Sequence, residues 1–585
     1  MGKCLTRVLL LTVFCVTVWA MFLPAASRKA DVIFIHGRIY QPPHQDAEQL
    51  DCANLPVGIP ADSGILCESH SYVEALAVKD GKVLAVGDTK AMLKLKDRHT
   101  NVVDLRGRFV LPGFNDAHLH LASGGFEKLN VNLVGTKSLT EMQERIAERV
   151  KTAAPGEWIR GRGWDHTKWN SPTLPTREDL DAVTAGHPAI FTRVDGHICV
   201  VNTAALLAAA LNKDSVDPPG GKIDRDGRGE PTGILREGAR DAVDAVIPKV
   251  ANSERRKAIE LALAEAARRG LTSLQDNSGW QNFLVYEEIE REGKLSARIT
   301  EWLAFTDSLE ILEGERDHHP ANDPMLRTGM LKGFLDGSLG SRTAALLAPY
   351  ADDPKNYGLP QFDAMTLNHL TQERLAAGFQ IGFHAIGDRG VQMALDAFAD
   401  AMENARGGIS PSSDLRLRVE HAQVTSFAQI ERFAKFHVIA SMQPNHLLTD
   451  MNWAEARLGT ERAARSYAWR SFLEAGVPLA FGTDYPVEPL TPFRGLYAAV
   501  TRRNEEGTKE YFPEERLTID QAIAAYTSGA AFAEFAEKTK GELVPGKWAD
   551  LVVLDRDITQ IPPKEILGTK VLRTVVAGKT VYEAQ

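Results

Sequence analysis

A chain of 585 residues, 44% hydrophobic and 25% charged, holds enough apolar material for one large domain with attachments or for two or three smaller ones, which excludes a disordered chain. The formal charge of −10, with no clustered lysine and arginine face, excludes a phosphate-backbone binder, so nucleic acid is not expected as a partner. The five cysteines, Cys4, Cys15, Cys52, Cys67 and Cys199, contain no CxxC pair, so any metal is left to nitrogen and oxygen donors.

Lys3 and Arg7 precede sixteen mostly apolar residues, Val8 to Leu23, and then the small-residue run Pro24 to Ser27. Residues 1–27 therefore read as a signal peptide cut after Ser27, or as a membrane anchor that stays uncleaved. Either way the body is expected to be exported, periplasmic or secreted, and membrane contact is expected only if the segment is retained. In an oxidising compartment Cys52 and Cys67 either pair across a loop or stand as two solitary thiols.

After the leader, Asp31 to Tyr40 reads as a strand and Ala75 to Asp88 as a β-hairpin turning at Asp80-Gly81. The Pro-, Gly- and Asp-rich stretch between them, residues 41 to 72, reads as a surface loop. Ala549 to Asp555 and Val571 to Tyr582 are strands again at the far end. Residues 31–111 and 541–585 are thus expected to form one small composite β-sandwich, because isolated strands have edges that must be covered.

Between these ends helix and strand alternate. In residues 253–270, Ser253 is expected to cap a helix, Ile259, Ala262, Leu263, Ala266 and Ala267 share a face, and Gly270 ends it before the strand LTSLQD. The rhythm returns at Leu375 to Gly378 and at Phe472 to Gly476. Eight candidate core strands follow: Phe109 to His120, Leu271 to Asp276, Arg298 to Leu303, Met330 to Asp336, Gln380 to His384, Leu415 to His421, Val438 to Met442 and Leu479 to Asp484. The fold class is therefore α/β, a TIM (β/α)8 barrel over 112–540, with a subdomain inserted at about 140–250 because the first connection is too long for one crossover.

Such a barrel works at the C-terminal ends of its strands. His118 and His120 lie two apart in FNDAHLH, so on a strand they face the same way. Lys332 lies on the fourth strand, His384 ends the fifth, His421 the sixth and Asp484 the eighth. Each has an ordinary use when taken alone: His384 bonding Asp388, His421 held by Glu420, Asp484 capping the turn before Tyr485-Pro486. Converging together, they point to a divalent metal. Lys332 either snorkels away or is altered, since a buried lysine loses its charge and a neutral amine takes up carbon dioxide as a carbamate.

The ordered blocks PGFNDAHLH, KGFLDGSLGSRTA, HAIGD, EHAQ and GTDYP resemble the amidohydrolase superfamily, specifically its YtcJ-like branch, which includes N-substituted formamide deformylases. The resemblance runs from about Asp31 to Tyr582 and extends to RVDGHICVVN (193–202) and GEPTGILRE (229–237). It implies a barrel with a two-ended β-sandwich. It also implies a centre of one or two divalent ions, usually zinc, with Lys332 as the carboxylated bridge.

The donor set, imidazole and carboxylate without thiolate, suits zinc, with manganese, iron and nickel open by donor type. In a two-ion arrangement His118 and His120 hold one ion with Asp484, and His384 and His421 hold the other. The chemistry expected is hydrolysis of a non-peptide carbon–nitrogen bond in a small molecule, by a metal-activated water with Asp484 as proton shuttle. Asp116 is expected to orient a ligating imidazole, and Asp336, Ser338, Arg342, Asp195 and His197 to line the substrate pocket. Trp158, Trp164 and Trp169 are read as core packing, with an apolar pocket wall as the other use. IDRDGRGE (223–230) lacks the acidic pattern of a calcium loop and is read as a turn. No GxSxG elbow supports a serine nucleophile. The rival reading is a non-catalytic binding or regulatory protein that keeps a structural metal. Oligomeric state has no signal in the sequence.

Overall fold

The computed structural model describes residues 29–42, 70–193, 198–218, 221–403 and 414–585. The leader, the Cys52/Cys67 pair, most of the 41–72 loop, Asp195 and His197 lie outside them. Among the described residues no helix is long and apolar enough to cross a membrane.

Eight parallel strands stand side by side in chain order: Phe114–Leu119, Leu271–Asp276, Arg298–Ala304, Leu326–Phe334, Ile381–Ala385, Arg418–His421, Ile439–Met442 and Leu479–Phe481. The ring closes just past the strand ends, where Asp484 N–H donates to His118 O and His120 N–H to Tyr485 O, both at 2.7 Å. The barrel and its helices share one continuous apolar core.

The run Phe109 to His120 is two strands rather than one. Phe109–Pro112 pairs with Arg38–Gln41 and Leu551–Leu554 in a sheet outside the barrel, and Phe114–Leu119 opens the barrel. Gly113 is the joint. Its N–H bonds Asp550 O at 2.9 Å, and a Cβ there would meet the Thr272 side chain at 2.2 Å, so only a residue without one lets the chain pass.

That outer sheet runs Lys579–Glu583, Val571–Val576, Leu551–Leu554, Phe109–Pro112, Arg38–Gln41, Ser71–Val73, mixing the two ends of the chain. A four-stranded sheet of Lys82–Gly87, Ala75–Lys79, Val32–Ile35 and Asn101–Asp104 packs on it through Phe34, Leu76, Val78, Val110, Val553 and Val575. The hairpin turns at Asp80 and Gly81, both at positive φ (50° and 75°), as the tight turn requires.

A fourth sheet, of six strands, spans Val131–Asn132 to Pro231–Glu237. It begins before residue 140, because a two-residue strand carries no readable period. Trp164 and Trp169 are buried in its core and Trp158 is half-buried against the neighbouring cluster, so the tryptophans pack the insertion.

The helix expected from Ser253 spans Asn252–Arg268, with Ala251 at the cap position and no side-chain cap. Ser253 sits inside its first turn. Its buried face is Ala258, Ile259, Ala262, Leu263, Ala266 and Ala267, and Gly270 follows at φ 79°.

Candidate metal centre

His118 lies fully buried next to the end of its strand, and its Nδ1 donates to Glu420 Oε2 at 2.7 Å. Arg418 Nε in turn donates to Glu420 Oε1 at 2.8 Å, and the guanidinium also reaches Ala117 O and Ser441 Oγ. Burial alone would raise the Glu420 carboxyl, but Arg418 and His118 outweigh it and hold it at about 2. An ionised carboxylate only accepts, so the proton of His118 sits on Nδ1 and the Nε2 lone pair faces the barrel mouth.

That lone pair lies 3.6 Å from Asp484 Oδ1 and accepts from Lys332 Nζ at 3.2 Å. His120 is fixed by its Nδ1 donating to Asn277 O at 2.8 Å, which leaves Nε2 3.3 Å from the same Asp484 oxygen. The His421 ring centroid is 4.8 Å from that of His118 and 4.5 Å from that of His384. His118, His421 and Asp484 offer donor atoms within 4.8 Å of one another. His384 stands at the edge, its Nε2 bonded to Gly337 O at 3.2 Å rather than to Asp388.

His421 and Asp484 both lie on left-handed backbone, φ 72° and 57°, a strain of about 1–3 kcal/mol at each that the surrounding bonds sustain. Asp484 is held where the last strand ends. Asp116 Oδ1 accepts from Thr483 N–H at 2.9 Å and Oδ2 from Thr483 Oγ1 at 2.6 Å, while a Cβ on Gly482 would come within 2.5 Å of His118 N. Asp116 therefore touches no imidazole ring. It clamps the eighth strand's end to the first, and burial pushes its carboxyl up to about 7.

Lys332 does not snorkel. It is 3% exposed, with Nζ about equally far from the Trp302 and Phe334 ring centroids, 5.1 and 5.0 Å. Burial lowers its ammonium to about 8. Burial, followed by the charge of Lys332, lowers His118 to about 4 and His384 to about 3; burial and its imidazole neighbours take His421 well below the ordinary range. The rings are neutral donors. Burial would raise Asp484, but the imidazoles of His120 and His446 hold it well below the usual carboxylate range, and its buried Oδ1 accepts no hydrogen bond. Neutral imidazoles converging on an ionised oxygen with no bonded partner fit a divalent cation.

The sequence reading missed His446, whose Nε2 donates to Asp484 Oδ2 at 3.1 Å. Burial would lower this imidazole, but Asp484, with Asp450 and Glu488 nearby, holds it at about 9. It sits inside the helix Pro444–Asp450, past the end of the seventh strand, so a search of strand ends passes over it. The signal was QPNH directly after a strand that ends without a polar residue.

Three of the residues expected to line the pocket have bonds of their own in the structure. Asp336 is buried and gives both oxygens to backbone N–H groups: Ile386 at 3.0 Å, Gly387 at 2.8 Å and Ala345 at 2.9 Å. It anchors loops. Ser338 bonds Ser341 and Thr343 within its own turn, and Arg342 pairs with Asp352 at 2.9 Å. Short loops satisfy their polar groups internally, which residue type alone does not reveal.

Residues 101–582 match the model of the amidohydrolase family, Amidohydro_3. The chain belongs to that family. It is 33% identical to Protein LONG AFTER FAR-RED 3 of Arabidopsis thaliana over 90% of this chain and 92% of that one. Putative amidohydrolase YtcJ of Bacillus subtilis is 31% identical (88% and 97% covered), and N-substituted formamide deformylase of Arthrobacter pascens 26% (88% and 96%). A crystal structure of an uncharacterised metal-dependent hydrolase from Pyrococcus horikoshii superposes with a TM-score of 0.72 at 28% identity, covering 91% of this chain and 99% of that one. Family and neighbour together support a hydrolase that depends on a divalent metal.

Proposed function

We propose that this amidohydrolase cleaves a non-peptide carbon–nitrogen bond of the amide or formamide class in a small molecule. The observation that carries the reading is the set His118, His421 and Asp484, with an ionised, buried Asp484 oxygen that accepts no hydrogen bond. The formamide deformylase among its relatives supports the bond class. His118 and His421 with Asp484 would hold the ion, zinc by donor type, with His120 and His384 beside them. When bound, such an ion polarises the substrate carbonyl and brings the pKa of water towards ~7.

The chain's residues do the rest. Glu420 keeps the His118 lone pair directed inward. His446 holds Asp484 Oδ2 and so fixes the carboxylate, which would take a proton from the attacking water and return it to the leaving nitrogen. Lys332, lowered to about 8, has a neutral fraction at physiological pH that would take up carbon dioxide at Nζ, with loss of one proton, and so offer an anionic carbamate to the centre. Export through residues 1–27 belongs to the same proposal, and N-terminal sequencing of the mature protein tests it.

A panel of N-substituted formamides, amides and esters offered to metal-replete protein tests the reaction. Turnover of a formamide or amide, abolished by chelation and by Asp484→Asn, is the expected result. Silence across the panel at full metal occupancy would favour the binding or regulatory reading, and full activity in Asp484→Asn would remove the shuttle.

A further inference from the structure

A second group of donors lies at the opposite end of the barrel. Glu287 and Glu290 are three residues apart on one face of the helix Trp280–Arg291. His319 follows the helix Leu309–His318, and Asp323 lies in the turn that leads into the fourth barrel strand, Leu326–Phe334. Glu287 Oε1 accepts from His319 Nδ1 at 2.7 Å, which places the imidazole proton on Nδ1 and the lone pair on Nε2.

Among the described residues nothing that donates meets this lone pair. Nε2 is buried and without a hydrogen-bond partner, and it faces Glu290 Oε2 at 3.7 Å and Asp323 Oδ2 at 3.8 Å. Asp323 Oδ1 is occupied by the N–H groups of Met325 and Leu326 at 2.7 and 3.1 Å, so Oδ2 is the oxygen left to face the imidazole. Three acceptors from three segments thus converge, all within 4.8 Å of one another. Bonds of about 2.1 Å at tetrahedral angles set ligand atoms about 3.4 Å apart, a few tenths of an ångström from the two imidazole–carboxylate separations of 3.7 and 3.8 Å.

We infer that Glu290, His319 and Asp323 form a second divalent-cation site, structural rather than hydrolytic, that ties the helix Trp280–Arg291 to the turn before the fourth strand. Glu287 takes the part of the outer carboxylate that orients a ligating histidine. One imidazole with two carboxylates selects a borderline ion of the zinc kind over calcium or magnesium, which prefer oxygen alone. Burial and then the crowding of Asp323 push Glu290 up to about 7, the response of a carboxylate facing acceptors. An imidazolium paired with both acids is the competing account, and 3.7 and 3.8 Å are too long for its hydrogen bonds.

Elemental analysis of the purified full chain tests the site. Wild type is expected to carry one zinc ion per chain more than His319→Gln or the near-isosteric Glu290→Gln, while formamide or amide turnover is unchanged in both. In a His118→Ala/Asp484→Ala background, added zinc is expected to raise Tm, and adding Glu290→Gln is expected to abolish that rise; calcium is expected to do nothing in either. Circular dichroism confirms that each variant is folded, and should the background fail to fold, the wild-type and Glu290→Gln zinc counts decide alone. Equal zinc content in folded wild type, His319→Gln and Glu290→Gln would overturn the proposal, as would a zinc-dependent Tm that ignores these substitutions.

Discussion

Glu420 and His118 are 302 residues apart in sequence and 2.7 Å apart across the barrel interior. The ionised carboxylate fixes the proton on Nδ1 and so decides which way the His118 lone pair points. In Glu420→Gln the amide oxygen still accepts but the charge is gone, and metal affinity is expected to fall about 10–100-fold with a parallel loss in kcat/KM. The variant also leaves Arg418 buried without its anion, which costs about 3–5 kcal/mol. Metal titration well below the variant's Tm separates the two effects; unchanged affinity in folded protein would contradict the orienting role.

Lys332 gives a test of its own. Metal-free wild type reconstituted with zinc in carbon-dioxide-free buffer is expected to regain activity slowly, and bicarbonate to accelerate recovery. Lys332→Met is expected to lose at least ~100-fold in turnover and to ignore bicarbonate. Recovery that is equally fast without bicarbonate would rule out the carbamate.

The joint between sandwich and barrel is set by Gly113, where a Cβ would sit 2.2 Å from Thr272 Oγ1. Gly113→Ala is expected to cost about 1–3 kcal/mol by overpacking, read as a drop in urea midpoint at constant m. Gly113→Ala/Thr272→Ser removes the methyl at 2.3 Å and is expected to recover part of the loss. Equal stability of all three proteins would mean that the two elements shift freely against each other.

Much of the centre was legible because strand geometry is local. A period of two sets His118 and His120 on one side, and residues closing buried strands in a barrel must meet. Partnerships across the barrel were not legible. Glu420 reads as a neighbour of His421 in sequence, yet it serves His118, a pairing made across the barrel between the first and sixth strands. His446 sits on a helix where the period of two no longer applies. The break inside Phe109 to His120 falls at the single residue Gly113, too short an interval to divide two strands by pattern, and its cause is contact with Thr272 from another strand. Asp336 carries a duty that residue type does not reveal, since three backbone amides donate to it.

Acid stability follows from the other end of the barrel. Glu534 is buried beneath the strands, where Lys540 Nζ lies 2.8 Å from it, Arg327 reaches it at 2.9 Å and Thr300 Oγ1 donates at 2.6 Å. Burial alone would raise its carboxyl, but Lys540 and Arg327 outweigh that and bring it from its ordinary 4.5 down to about 2. A group whose folded value is depressed stabilises the fold fully above its unfolded value and loses that contribution as pH falls through the folded one. Glu534 is therefore expected to contribute about 3 kcal/mol above pH ~4.5, declining between pH ~4.5 and ~2. Glu534→Gln should lower stability at pH 7 by a similar amount or more, since Lys540 and Arg327 lose their counter-charge, and should flatten the pH dependence across that window. Urea midpoints of the two proteins at pH 7, 4.5 and 3 measure this: the gap between them is expected to narrow on acidification, and a gap that stays constant would show that Glu534 is not the titrating group.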